Sequence, residues 1–189
     1  MPARGAANEP RFPATDLIER LTFGELPGLA VAPRARRAEL LRAYTLVYLE
    51  EELRREALVK NWPAFARFLQ RAAAELPLET AAVRGNPGPV FEQWVRIELW
   101  KRLRYLGGGK LHYLRTKAGA EVNFIVARGG RLIPIEVKWT EHPTPGDARH
   151  LLTFLNEHPK RTRQGYVICR CTAPLALADR VTALPWFLL

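Results

Sequence analysis

Four polar residues, Glu121, Asn123, Glu136 and Lys138, sit in two apolar segments joined by Gly129-Gly130. Carboxylate, carboxamide and ammonium groups together can hold a divalent cation beside a phosphate. If the two glycines form a two-residue hairpin loop, Arg128 falls opposite Arg131, Asn123 opposite Glu136 and Glu121 opposite Lys138. The four polar side chains then share one face, and Val122, Phe124, Val126, Ile133, Ile135 and Val137 share the other. Opposed Cβ atoms lie about 4.5–5.5 Å apart, so the polar set converges on one small object.

The neighbouring segments must position that hairpin. Val90 to Leu106 has helical periodicity, with Phe91, Trp94, Val95, Leu99, Leu103 and Leu106 on one side. Glu98 falls inside that stripe and Glu92 at its edge; a carboxylate on a buried helix side needs a partner, either a metal or, more simply, Arg102 one turn on. Gly107-Gly108-Gly109 ends the helix. Lys110 to Arg115 reads as a strand in which Leu111, Tyr113 and Arg115 alternate with their neighbours, and Lys117-Ala118-Gly119 turns the chain into the hairpin. A helix from about Asp147 to His158 follows, then a strand at Gly165–Cys169 and a short one near Val181–Leu184. The order is helix, three-stranded antiparallel meander, helix, strand, in an α/β domain.

Gly85-Asn86-Pro87-Gly88-Pro89 is the strongest break in the chain. It separates a helical N-terminal segment, residues 1–84, from the α/β domain, residues 85–189. The N-terminal part predicts one helix from Arg34 to about Leu58, with Leu40, Leu41, Tyr44, Val47, Tyr48 and Leu53 as an imperfect stripe. A second begins near Trp62-Pro63.

The 189 residues, 48% hydrophobic, suffice for one ordinary core with a helical appendage. Residues 1–89 carry 13 Lys and Arg against 11 Asp and Glu, whereas residues 90–189 carry 16 against 8. The basic excess therefore lies in the half that holds the polar set, and a field of that sign favours polyanions, nucleic acid above all. Arg115, Lys117, Arg149, Lys160, Arg161 and Arg163 are the candidate phosphate contacts; a solvated basic face is the plain alternative. The four histidines have no metal-binding spacing. Cys169 and Cys171, two apart in an apparent strand, read as buried free thiols. No apolar run is long enough to span a bilayer and no signal-peptide core is present, so a cytoplasmic protein that does not enter membranes is expected.

Gly88-Pro89-Val90-Phe91-Glu92, Leu114-Arg115-Thr116, Gly119-Ala120-Glu121-Val122-Asn123-Phe124 and Ile135-Glu136-Val137-Lys138 together resemble the PD-(D/E)XK nuclease superfamily. The closest likeness is to the DUF4143 C-terminal domain of prokaryotic AAA+ ATPases. That resemblance implies a restriction-endonuclease-like core and metal-dependent phosphodiester cleavage with Mg2+ or Mn2+. It implies Glu136, Glu92 and the position of Asn123 as metal ligands; Glu98, from the helix stripe, and Glu121, from the strand face, are candidates for an additional site. Glu136 and Lys138 become the catalytic pair, Lys138 orienting water and offsetting phosphate charge. Asn123 stands where the pattern has aspartate, which removes one negative charge and predicts weak metal binding. Leu21 to Gly28 and Tyr44 to Glu52 resemble the segment that follows the ATPase core in those proteins, yet the chain has no G-x-x-x-x-G-K-[ST] loop and is expected to use no ATP. Two functions follow: a DNA-directed nuclease-like protein, or a non-catalytic module that binds DNA, a protein partner or a second copy of itself.

Overall fold

The computed structural model describes residues 17–55, 83, 85–115 and 121–189. Two compact units divide between Asn86 and Pro87. The first contains α1 (Leu17–Phe23), α2 (Pro27–Ala30) and α3 (Arg34–Arg55). Arg37 ties α3 to the turns before it: Nε donates to Ala32 O at 3.0 Å, Nη2 to Ala30 O at 3.2 Å, and Nη1 meets Glu19 at 3.3 Å. The helix expected from Trp62-Pro63 and the Lys117-Ala118-Gly119 turn lie outside the described residues. Among the described residues, no helix is long and apolar enough to cross a membrane.

The second unit opens with α4 (Pro87–Tyr105), which starts three residues before the apolar periodicity does. Proline is tolerated there because the first-turn N–H groups have no intrahelical acceptors. The helix stops where Gly108 N–H returns to Leu103 O (2.9 Å) and Gly107 N–H to Arg104 O (3.2 Å), with Gly107 at φ +78°. This is a Schellman stop, in which the left-handed residue is normally glycine.

Six strands follow: β1 (Lys110–Arg115), β2 (Glu121–Arg128), β3 (Arg131–Val137), β4 (Gly165–Cys169), β5 (Leu175–Ala178) and β6 (Val181–Pro185). A 3-10 turn at Pro145–Ala148 and helix α5 (Arg149–Glu157) connect β3 to β4, and a last 3-10 turn covers Trp186–Leu188. The sheet order is β1-β2-β3-β4-β6-β5. β1, β2 and β3 form the antiparallel meander, β3, β4 and β6 run parallel, and β5 is antiparallel to β6. The protein is thus mixed α/β.

Both faces of the sheet are covered. Leu151, Phe154 and Leu155 of α5 pack with Val122, Ile125, Val167, Val181 and Ala183. Phe91, fully buried on α4, meets Trp139 edge-on at 5.4 Å, and Trp94 meets Trp186 at 5.6 Å. Cys169 ends β4, whereas Cys171 lies beyond the strand, and both are free and buried. Burial pushes the Cys169 thiol up to about 12, so it stays protonated and packs as a small apolar group.

The pairing corrects two expectations. His112 pairs with Ile125 but Leu114 with Val122, so Tyr113 faces both Asn123 and Phe124 across a β-bulge in β2. An extra residue reverses the alternation, and Val122 accordingly joins Ile125 in the α5-side core rather than sharing a face with Phe124 and Val126. On β1, Leu111 and Leu114 are the partly covered residues, while Tyr113 is 79% exposed.

Candidate functional site

The hairpin turn fixes the site's starting register. Gly129 and Gly130 adopt φ +56° and +76°, the left-handed pair that a tight two-residue loop needs, and Arg128 pairs with Arg131. Pairing continues to Phe124 opposite Ile135. Beyond it the Asn123 carboxamide takes over, its Oδ1 accepting the Val137 N–H at 2.8 Å. β3 is held from the other side by β4, where Glu136 pairs with Val167 and Lys138 N–H donates to Ile168 O at 3.0 Å. Glu136 is therefore fixed between two strands at the point where β2 and β3 stop pairing through their backbones.

A cavity of about 500 Å³ opens at this point. Glu121, Asn123, Glu136 and Lys138 line it, and Glu92 reaches it from the first turns of α4. The cross-strand pairing of Glu121 with Lys138 is not what forms. Lys138 Nζ sits 3.0 Å from Glu136 Oε1, and Glu121 lies 3.9 Å from Arg115. The bulge and the end of the ladder account for the change, since they break the flat face that a regular register would give.

Glu136 is only 8% exposed, and its second oxygen, Oε2, is buried without a hydrogen-bond partner. Burial raises its carboxyl above the ordinary value of 4.5, opposed by the hydrogen bond and charge of Lys138. A carboxylate whose pKa is higher folded than unfolded loses stabilising effect as pH rises from 4.5 through the native value. Glu136→Gln should therefore melt at a higher temperature than wild type at pH 7, with the difference closing below pH 4.5. A melting series by differential scanning fluorimetry checks this, and an equal or lower midpoint at pH 7 would count against a strained carboxylate.

Residues from the α5 side complete the lining. Asp147 lines the cavity, although its Oδ2 accepts both the Thr144 N–H (2.8 Å) and the Thr144 hydroxyl (3.0 Å). His150 Nδ1 lies 3.1 Å from the backbone nitrogen of Glu121 and 3.0 Å from its oxygen, and Arg149 stands beside it. Sequence reasoning missed Asp147, for which only the Thr-Pro-Gly-Asp turn gave a signal. Glu92, Glu121, Glu136 and Asp147 face Lys138 and Arg149 here, an acidic island in a chain of net charge +10.

Among the described residues, no three Asp, Glu, His or Cys side chains converge on one point. Magnesium, however, commonly keeps several waters and takes one or two carboxylates. Glu136, with its buried and unpartnered Oε2, and Glu92 line the same cavity and would offer a hydrated ion carboxylates in that number. Asn123 fits it less well, because its oxygen already serves the Val137 N–H and carries no charge.

The other candidates scatter. Glu98 is buried on the core side of α4 with Lys101 Nζ at 2.6 Å, so Lys101 provides the cation expected from Arg102. Arg161 donates to Gly130 O at 3.3 Å near the hairpin tip. Lys160 and Arg163 are exposed in the loop after α5, and Lys117 lies outside the described residues.

Fold and site together define a mixed α/β domain with a carboxylate–lysine pair set where two central strands part. The family described as a domain of unknown function, DUF4143, matches residues 87–189, and the chain belongs to it. No curated protein and no solved structure matches the chain.

Proposed function

We propose that residues 87–189 are a PD-(D/E)XK-type nuclease scaffold directed at nucleic acid, DNA by preference, with cleavage weakened by Asn123. The carrying observation is Glu136: buried, bonded through one oxygen to Lys138, left without a partner at the other, and lining an acidic cavity. The order of helix, meander, helix and parallel strand supports the reading, as does Glu92 on the first helix.

Glu136 and Glu92 are the residues to hold Mg2+ or Mn2+, which when bound would lower the pKa of water and polarise the phosphate. Lys138 opposes the rise that burial imposes on the Glu136 carboxyl and offsets charge on an approaching phosphate. Asn123 holds the end of β3 in place through the Val137 N–H. That backbone role favours a second reading, binding without cleavage, in a module related to the C-terminal part of AAA+ ATPases.

A labelled forked DNA with duplex and single-stranded arms tests both. Binding should fall steeply with salt, as phosphate contacts require. Slow cleavage in Mn2+ that disappears in Glu136→Ala supports the nuclease reading; salt-sensitive binding with no cleavage supports the second. Absence of binding at low salt would sink both.

A further inference from the structure

The site cavity is one end of a longer channel. It shares Glu92, Glu121 and Asn123 with a groove of about 960 Å³ between α4 and the edge strand β1. That groove shares Gly108, Gly109 and Lys110 with a hollow of about 420 Å³ at the tip of the β2–β3 hairpin. Charge is ordered along this line. From the hairpin tip come Arg161, Arg131, Arg128 and Lys110, then Arg104 and Arg96, all exposed. Carboxylates lining the channel appear only where it reaches the site, at Glu92 and Glu121 and beyond. Among the described residues, none of the six cations is paired with a carboxylate.

Aromatic faces interrupt the cationic track. Trp100, 52% exposed, and Tyr113, 79% exposed, line opposite walls of the groove, one from α4 and one from β1. The Arg104 guanidinium lies 5.2 Å from the Trp100 ring and braces it. Tyr113 is turned outward by the bulge that also places Asn123. Exposed rings among unpaired cations are the surface on which successive bases stack while phosphates track the charges. A duplex keeps its base faces inside and cannot use them.

We infer that the α4–β1 groove binds single-stranded nucleic acid and leads it from the hairpin tip to Glu136. This rests on the nucleic-acid reading above and narrows its substrate to an unpaired strand. The groove is also bounded by a strand edge, to which a protein segment could add by backbone pairing; the ring and charge pattern argues for the polyanion.

Fluorescence anisotropy on the full chain in EDTA tests this, with an oligothymidylate of about 20 nucleotides and a duplex of the same length. The single strand should bind about tenfold or more tightly than the duplex. Trp100→Ala should weaken single-strand binding by about tenfold, since one stacked base contributes that much. Tyr113→Ala should act in the same direction at a second, strand-borne position. Arg96→Gln and Arg104→Gln should each flatten the slope of log affinity against log salt by about 0.7. Circular dichroism confirms that each variant is folded. Tighter duplex binding, or single-strand binding indifferent to both ring variants, overturns this inference and leaves the broader reading standing. If neither DNA binds at low salt, both fall and a protein strand becomes the better occupant.

Discussion

Asn123→Asp is expected to make the chain bind a divalent cation more tightly than wild type does. One aspartate oxygen can still accept the Val137 N–H that Asn123 now accepts at 2.8 Å, so the backbone need not move. The carboxylate adds one negative charge to the cavity that Glu136 also lines. Without metal the added carboxylate repels Glu136, whose pKa burial already raises, and the variant should melt below wild type at pH 7. Mg2+ or Mn2+ should reverse the order. An ion at about one hundred times its dissociation constant contributes about 2.7 kcal/mol, on the order of 10 °C for a unit of this size. Wild type should gain much less. The same variant should cleave the forked DNA faster than wild type in Mn2+. If its melting temperature is as insensitive to metal as that of wild type, the cavity is not a cation site and the nuclease scaffold loses its chemical basis.

Phe91→Ala should produce the largest stability loss. Phe91 is fully buried, stacks on Trp94 with ring centres 6.4 Å apart and meets Trp139 edge-on. Removing such a ring leaves a cavity between α4 and the segment that follows Lys138, and Phe→Ala changes of this kind cost about 3–5 kcal/mol. Urea unfolding followed by tryptophan fluorescence measures it. Because Phe91 precedes Glu92 and packs on Trp139, the loss should be coupled to the site: in a double-mutant cycle, Phe91→Ala and Glu136→Gln should not add. A loss under about 1 kcal/mol, or simple additivity, would show that Phe91 does not couple α4 to the site.

Where the determinants are local, the sequence was readable. Gly129-Gly130 specifies a left-handed two-residue turn, and that turn alone carries the register from Arg128–Arg131 to Phe124–Ile135. β4 occupies the predicted Gly165–Cys169 span, since a short apolar run bounded by polar residues fits a strand buried on both faces. The β5 strand was missed. Leu175-Ala-Leu-Ala178 has two alanines of poor strand propensity, and its Asp179-Arg180 loop has no glycine; it becomes a strand because β6 offers a partner.

The candidate site divides along the same line. Glu136, Lys138, Asn123 and Glu92 could be named from residue type, spacing and family likeness, because strand alternation and a helix start are properties of short segments. Their arrangement needed the tertiary structure. The bulge opposite Tyr113 arises where β2 must satisfy β1 on one edge and β3 on the other, and nothing within β2 announces it. It moves Val122 into the α5-side core, exposes Tyr113 to the groove, and leaves Asn123 to close the gap at Val137. The cationic channel likewise draws on α4, β1, the hairpin and the loop before β4, segments far apart in the chain. This sequence determined which groups are available and which short elements carry them. Only the packing of α4 and α5 on the sheet decided which groups meet, because burial and charge at a point are set by whatever distant segments surround it.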